Sequence, residues 1–356
     1  MLEYFSILIF VIIINIIPTS SLRGENVKLF FSVLLIFLFM ALRVDFTPDY
    51  NGYKELFETI HSYGTDDELS SEIGFQLLNH ILPSYRWVII VTALFFCSSI
   101  YFLFKRYIPS RYWIFAFLVL FISKSMLLGN TSGIRNSIAV SAFIFSFYFL
   151  EYNKKILYAA ILVVASFFHS SSLFFIPLIF INTKNLTQRR SNIIWVLIIL
   201  FTFLTILLPN AINLLSFWLF KNVHFFSRYE YYLQHEVNYG IRGLSFVLIF
   251  FMLYMNIKTL KIQRLNPSEV LLIKLSLIFY IVMLLPGIGL LSRVYFYLSF
   301  PQLAGNIYVM RRINDKFFRW AYIFGMTIIP LMEFYQFSHN PRFEEFYLNY
   351  HSILFN

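Results

Sequence analysis

Apolar residues in this chain fall in runs. Residues 6–18, 29–42, 87–104 and 193–209 are long and almost free of charge. Each approaches the roughly 20 residues a helix needs to cross about 30 Å of hydrocarbon. The pattern predicts twelve helical spans, at 2–18, 28–43, 86–104, 111–128, 134–152, 156–169, 171–183, 193–209, 244–259, 270–286, 294–310 and 318–335. Three longer polar segments separate or follow them: 44–85, 210–243 and 336–356. The expected fold class is an all-α polytopic integral membrane protein of about twelve transmembrane helices. It forms a single membrane domain over 1–356, without an internal repeat or a soluble domain.

The stretch 156–181 has two readings. It is apolar apart from His169-Ser170-Ser171-Ser172, and as one helix it would be about 39 Å long at 1.5 Å per residue. As two short crossings it would turn at His169, below the membrane surface. Charge selects the second reading. Basic residues cluster at Arg23/Lys28, Lys105/Arg106/Arg111, Lys154/Lys155, Lys184/Arg189/Arg190, Lys258/Lys261/Arg264 and Arg311/Arg312/Lys316/Arg319. With two short crossings an even number of spans separates consecutive clusters, so all lie on one face. Cytoplasmic loops carry the Lys/Arg excess, which places both termini outside the cytoplasm; the resemblance described below implies that this outer side is the periplasm of a bacterial inner membrane. The segment 44–85 is then periplasmic and acidic, and 210–243 is periplasmic and rich in tyrosine.

Composition agrees with a membrane class. The chain is 59% hydrophobic and 13% charged, with mean hydropathy +0.71, whereas about a quarter of a soluble domain is charged. Glu3 precedes the first apolar run, which lacks a basic leader and reads as a span, not a cleaved signal. The net charge of +10 belongs to short loops, and no nucleic-acid module, phosphate loop or zinc spacing accompanies it, so no nucleic-acid partner is expected. The single cysteine, Cys97, sits in an apolar run. It allows no disulfide and no cysteine metal site, and neither metal nor cofactor is expected.

This topology brings Arg43, Arg135, His169 and Arg293 to the outer side. Ionisable groups at membrane depth are costly and usually line a pathway or a site. Arginines that gather there need an anion, and a diphosphate suits their planar, bidentate guanidinium groups. A lone arginine at a helix end is more often an interfacial anchor, and Arg86 is read in that way. The acidic outer segment adds Asp49-Tyr50-x-x-Tyr53 and Glu72-x-Gly74-Phe75, which mix carboxylate with aromatic surface as a sugar-binding face does. Arg228 and Tyr229 lie in the second outer segment, either a glycan-contacting lid or an interfacial helix. Candidate bases for activating a hydroxyl nucleophile are His169, Asp49 and Glu72. His169 comes first, because a turn between two helices fixes it while the carboxylates ride on a looser segment, and because neighbouring arginines keep it neutral.

In this order, Arg43, Asp49-Tyr50-x-x-Tyr53, Glu72-x-Gly74-Phe75, Ile134-Arg135-Asn136-Ser137-Ile138-Ala139, Phe168-His169-Ser170-Ser171 and Ser292-Arg293-Val294-Tyr295-Phe296 resemble the Wzy-type polysaccharide repeat-unit polymerases, in particular their EpsG-like branch. The chain departs from the family at Asn136, where Gln is usual, and at Thr47, where Gly is usual. The resemblance implies a GT-C-like helical architecture and a metal-independent glycosyltransferase. It would join undecaprenyl-diphosphate-linked oligosaccharides at the periplasmic face, for O-antigen, capsule or exopolysaccharide. The implied diphosphate ligands are Arg43, Arg135 and Arg293. Tyr50, Tyr53, Asn136, Arg228 and Tyr229 are the implied glycan contacts. Partners would be the lipid-linked glycans, membrane lipid, a chain-length regulator and a flippase. An O-antigen ligase would share this site chemistry, and a lipid-linked-sugar flippase would share the many spans, with polar residues placed mid-span.

Overall fold

The structure, a computed structural model, describes residues 2–19, 21–64, 72–207, 242–262, 265–284, 289–339 and 350–353. Side chains are described for these residues except 201, 203–207, 242–244 and 289–293. The chain divides into two compact units, residues 1–180 with 330–356, and residues 181–329.

The first unit holds α1 (Leu2–Ile16), α2 (Leu22–Leu42), α3 (Tyr50–Tyr63), α4 (Ile73–Ile81), α5 (Tyr85–Tyr107), α6 (Trp113–Ile122), α7 (Leu127–Ser132), α8 (Ile134–Glu151) and α9 (Lys155–Ser166). A 3-10 segment, Ser170–Phe180, follows α9. Among the described helices, α2 and α5 are long and apolar enough to cross a membrane by themselves. Ser21 starts α2 by accepting the Gly24 N–H at 3.1 Å, the side-chain cap that a helix N-terminus favours. Polar side chains fasten the apolar helices: Asn15 of α1 donates to Ser32 of α2 at 2.8 Å, and Tyr4 donates to the Phe121 carbonyl near the end of α6 at 2.7 Å. At Arg43 the backbone turns extended. The two-residue strand β1 (Arg43–Val44) pairs antiparallel with β2 (His351–Ser352), joining the end of α2 to the far end of the chain.

Each expected span coincides with helical structure, but the fourth is broken. α6 stops at Ile122, and α7 begins only at Leu127. Ser123, Lys124 and Ser125 interrupt the apolar run, and the Asn130 amide donates to the carbonyls of Ser125 and Met126 at 3.1 and 2.7 Å. Carbonyls at the break are thus met by a side chain from within the protein. The 156–181 stretch is a hairpin. Tyr158 donates to the Phe175 carbonyl at 2.9 Å and Ser172 to the Leu162 carbonyl at 2.9 Å, so α9 and the 3-10 segment run antiparallel about a turn at 167–169.

The second unit holds α10 (Gln188–Leu207), α11 (Arg242–Leu260), α12 (Pro267–Met283), α13 (Gly289–Arg312) and the first part of α14 (Lys316–Ser338). Close packing of α12 on α13 requires Gly305, where an added Cβ would fall 2.4 Å from the Leu272 carbonyl oxygen. Small residues let membrane helices approach in this way. Buried polar groups then join these helices. Asn306 accepts from Ser276 at 2.7 Å and from Tyr322 at 2.8 Å, and donates to Tyr280 at 2.7 Å.

Candidate active site

The described residues of the acidic 44–85 segment pack on an apolar core, firmer than the loose stretch its polarity suggested. Tyr50 and Phe57 of α3 face Phe75 of α4, Tyr85, Val88 and Ile89 of α5, and Ile134 and Ile138 of α8. Complete burial of a phenylalanine contributes about 2–3 kcal/mol. Phe75 is fully buried, so it pins the start of α4 where the next contact is made.

That contact is a backbone one. The Gly74 N–H donates to the Phe167 carbonyl at 2.9 Å, satisfying an orphan donor at the helix start that a capping side chain would otherwise take. The Glu72 carboxylate makes no cap bond and turns elsewhere. Glycine suits the approach, since a Cβ at position 74 would meet the Phe167 Cβ at 3.0 Å and its carbonyl oxygen at 3.1 Å, tight enough that the neighbour would have to shift. The spacing Glu72-x-Gly74-Phe75 thus has a physical meaning: an anchor, a close approach and a released carboxylate.

Glu72 reaches two residues far away in sequence. Its Oε1 lies 2.9 Å from His169 Nδ1, and its Oε2 accepts from Arg135 Nη1 at 2.6 Å. The side chains of Glu72, His169 and Arg135 are 8%, 12% and 26% exposed. Arg135, in the first turn of α8, lies over the Tyr53 ring at 5.4 Å and the Phe75 ring at 6.0 Å, in cation–π range. Burial alone would raise the Glu72 carboxyl. The hydrogen bond and charge of His169, then the charge and hydrogen bond of Arg135, outweigh it and hold the group below its ordinary 4.5. The histidine therefore stands against a carboxylate, a neighbour absent from the expectation that arginines alone surround it.

The other expected residues are placed differently. Asp49 is exposed and accepts from Ser132 at 2.7 Å, tying α3 to the end of α7. Just before it the chain is strained. Thr47 has φ 94° and Asp45 φ 48°, a backbone region that favours glycine. Tyr50 is buried edge-on against Tyr85, and burial raises its phenol. Asn136 is buried beside Arg135, and among the described residues its Oδ1 finds no donor. Arg43 is 1% exposed and donates to the Met40 carbonyl of its own helix. Arg293 lies in α13 of the second unit, with its side chain outside the described residues; Arg228 and Tyr229 lie outside them altogether.

One residue gains a partner that sequence did not suggest. Arg86, read as an anchor, donates through Nη1 to the Arg43 carbonyl at 2.6 Å. Its signal was available: it is a basic residue on the expected outer face, where such residues are scarce.

A predominantly helical chain with apolar spans points to a membrane protein, and its partly buried Glu72–His169–Arg135 cluster is its candidate site. The EpsG family matches residues 26–352, and the chain belongs to this family of Wzy-type polysaccharide polymerase-like proteins. No curated protein and no solved structure matches it.

Proposed function

We propose that the chain is a glycosyltransferase that polymerises oligosaccharide repeats carried on undecaprenyl diphosphate, at the periplasmic face of the bacterial inner membrane. In this reading the helices make twelve crossings in a GT-C-like arrangement, with both termini periplasmic. A flippase supplies the repeats and a chain-length regulator sets their number. The observation that carries the proposal is the carboxylate of Glu72 held between His169 and Arg135, because the reaction needs a base and a cation side by side.

A sugar hydroxyl of the incoming repeat attacks the anomeric carbon of the growing glycan. The bond from that carbon to the diphosphate breaks, and its electron pair leaves with the diphosphate oxygen. The hydroxyl proton passes to His169 Nε2, while Nδ1–H donates to Glu72 and steadies the imidazolium that forms. A single displacement of this kind inverts the anomeric configuration. Arg135 meets the negative charge that builds on the leaving group, a contribution worth a few kcal/mol for a well-placed donor. Tyr53, beside Arg135, offers a ring to the glycan. Asp49 braces the cap, and Arg43 adds positive charge for the diphosphate. Arg293, in the second unit, remains a target for substitution, with Arg293→Ala expected to lower polymerisation.

Purified enzyme with lipid-linked repeat units tests this reading. His169→Ala should cut polymerisation at least 100-fold, the usual range for a lost general base, while the protein still inserts. If His169→Gln keeps near-normal chain length, the base is not His169. In a deletion strain, a single added repeat supports polymerase loss, whereas unattached polymer would make the protein a ligase.

A further inference from the structure

Two exposed histidines of the first unit take no part in the catalytic reading. His61 stands in the last turn of α3 and His80 in the last turn of α4. Their rings lie 6.4 Å apart, centroid to centroid, tilted by 39°. His61 is fixed in two ways. Its ring packs on that of buried Phe57 at 4.1 Å, and its Nδ1 is 3.2 Å from the Phe57 carbonyl. A carbonyl only accepts, so Nδ1 carries the hydrogen, and in the neutral ring Nε2 keeps its lone pair. A backbone carbonyl that holds one ring nitrogen is the usual support of a metal-ligating histidine. A helix C-terminus attracts positive side chains, which would account for either histidine alone. It does not account for two rings that meet across two helices.

We propose that His61 and His80 together bind a divalent transition-metal ion of the class that prefers imidazole, Zn²⁺ or Cu²⁺. Two imidazoles on one tetrahedral ion stand with centroids about 5 Å apart. The pair therefore closes by about 1 Å on binding, a change within reach of exposed side chains. Among the described residues no three histidine, cysteine, aspartate or glutamate side chains gather for a metal ion, so water completes the coordination and the ion exchanges readily. Glu58 neighbours His61 on the surface of α3. It is exposed and forms no ion pair among the described residues, and its charge favours a cation here. Glu72 precedes the start of α4, about 12 Å along the helix from His80 at 1.5 Å per residue. The histidine pair and the catalytic cluster thus sit at opposite ends of α4, and the proposal does not rest on the polymerase reading. Bound metal ties the last turns of α3 and α4 together and steadies the helix that carries Glu72 at its head.

The full chain, carrying no histidine tag and purified in neutral detergent, is titrated with Cu²⁺, Zn²⁺ and Mg²⁺ by calorimetry, and with Cu²⁺ under electron paramagnetic resonance. Cu²⁺ and Zn²⁺ are expected to bind, Cu²⁺ the more tightly, with Mg²⁺ silent and the Cu²⁺ spectrum showing nitrogen hyperfine coupling. His61→Gln and His80→Gln should each weaken Cu²⁺ binding at least tenfold, with metal-free Tm values near that of the parent because both side chains are exposed. Zn²⁺ should raise the Tm of the parent but not that of His80→Gln. His169→Ala should bind as the parent does, which separates this site from the catalytic proposal. Parental Cu²⁺ affinity in either single variant, or no binding by the parent, overturns the site. So does Mg²⁺ binding equal to that of Zn²⁺, which would mean carboxylates alone, or loss of the ion in His169→Ala.

Discussion

Two cationic regions of the first unit differ in how their charge is answered. At Glu72 both carboxylate oxygens are occupied, one by His169 and one by Arg135, and the aromatic faces of Tyr53 and Phe75 flank the guanidinium. Among the described residues no carboxylate pairs with Arg43 or Arg86, and Arg43 Nε and Arg86 Nη2 find no acceptor. The first region is braced and balanced without a ligand, as a site that must place a base and a cation in advance should be. In the second the guanidinium groups meet backbone carbonyls, those of Met40 and Arg43. Two arginine regions of one unit are thus held in different ways, one by a carboxylate and one by the main chain.

The largest expected effect comes from unbalancing the braced region. Glu72→Gln leaves Arg135 without its counter-charge and should lower apparent stability in detergent by about 2–3 kcal/mol. That is less than for a fully buried pair, because Arg135 is partly exposed. Polymerisation should fall with it, as measured with lipid-linked substrate. Arg86→Gln is the contrasting change. It loses the bond to the Arg43 carbonyl and relieves like-charge repulsion, so its stability should stay within about 1 kcal/mol of the parent. Equal losses in the two variants would erase the distinction between the regions.

Gly74→Ala tests how the brace is built. The new methyl group meets Phe167, and overpacking of this kind costs about 1–3 kcal/mol. Because it pushes Glu72 away from His169, the rate should fall by more than the stability loss alone explains. Acid sharpens the same point. The Glu72 carboxyl is held below its ordinary 4.5, so the ionised form favours the folded state. That contribution is complete above the unfolded value and is lost as pH falls from about 4.5 through the folded value. Thermal scans across this window should show the parent losing stability that Glu72→Gln does not lose.

The smallest effect concerns the strained approach to Asp49. Thr47 sits at φ 94°, a region costly for a β-branched residue and open to glycine. Thr47→Gly should therefore stabilise the protein by about 1 kcal/mol, the left-handed cost less the added chain entropy. Chemical denaturation in detergent would measure it, and a net loss would mean that the Thr47 side chain contributes more than its backbone costs.

The sequence carried the helices because apolar runs and charge rules are local. It also carried the hairpin at His169, because the parity of the basic clusters demanded a turn inside an otherwise apolar stretch. Glu72 and His169 were both visible as candidates, but their contact was not. It depends on Gly74 docking against the Phe167 carbonyl, a match between residues more than ninety positions apart that periodicity does not encode. The break after Ile122 was hidden because Ser123-Lys124-Ser125 is too short to interrupt a hydropathy window. The bond from Arg86 to the Arg43 carbonyl was not legible, because a backbone carbonyl has no side-chain signature.

The short strand pair has a consequence for biogenesis. It links position 43 to position 352, so the cover over Arg43 can form only after the whole stretch between them has been made. Closing so long a loop adds only modest entropy, but the order of synthesis fixes when it can happen. Until then Arg43 is an exposed cation that must take lipid phosphate or water as its partner. A chain released short of His351 keeps that cation uncovered and offers quality-control proteases a local mark of incompleteness.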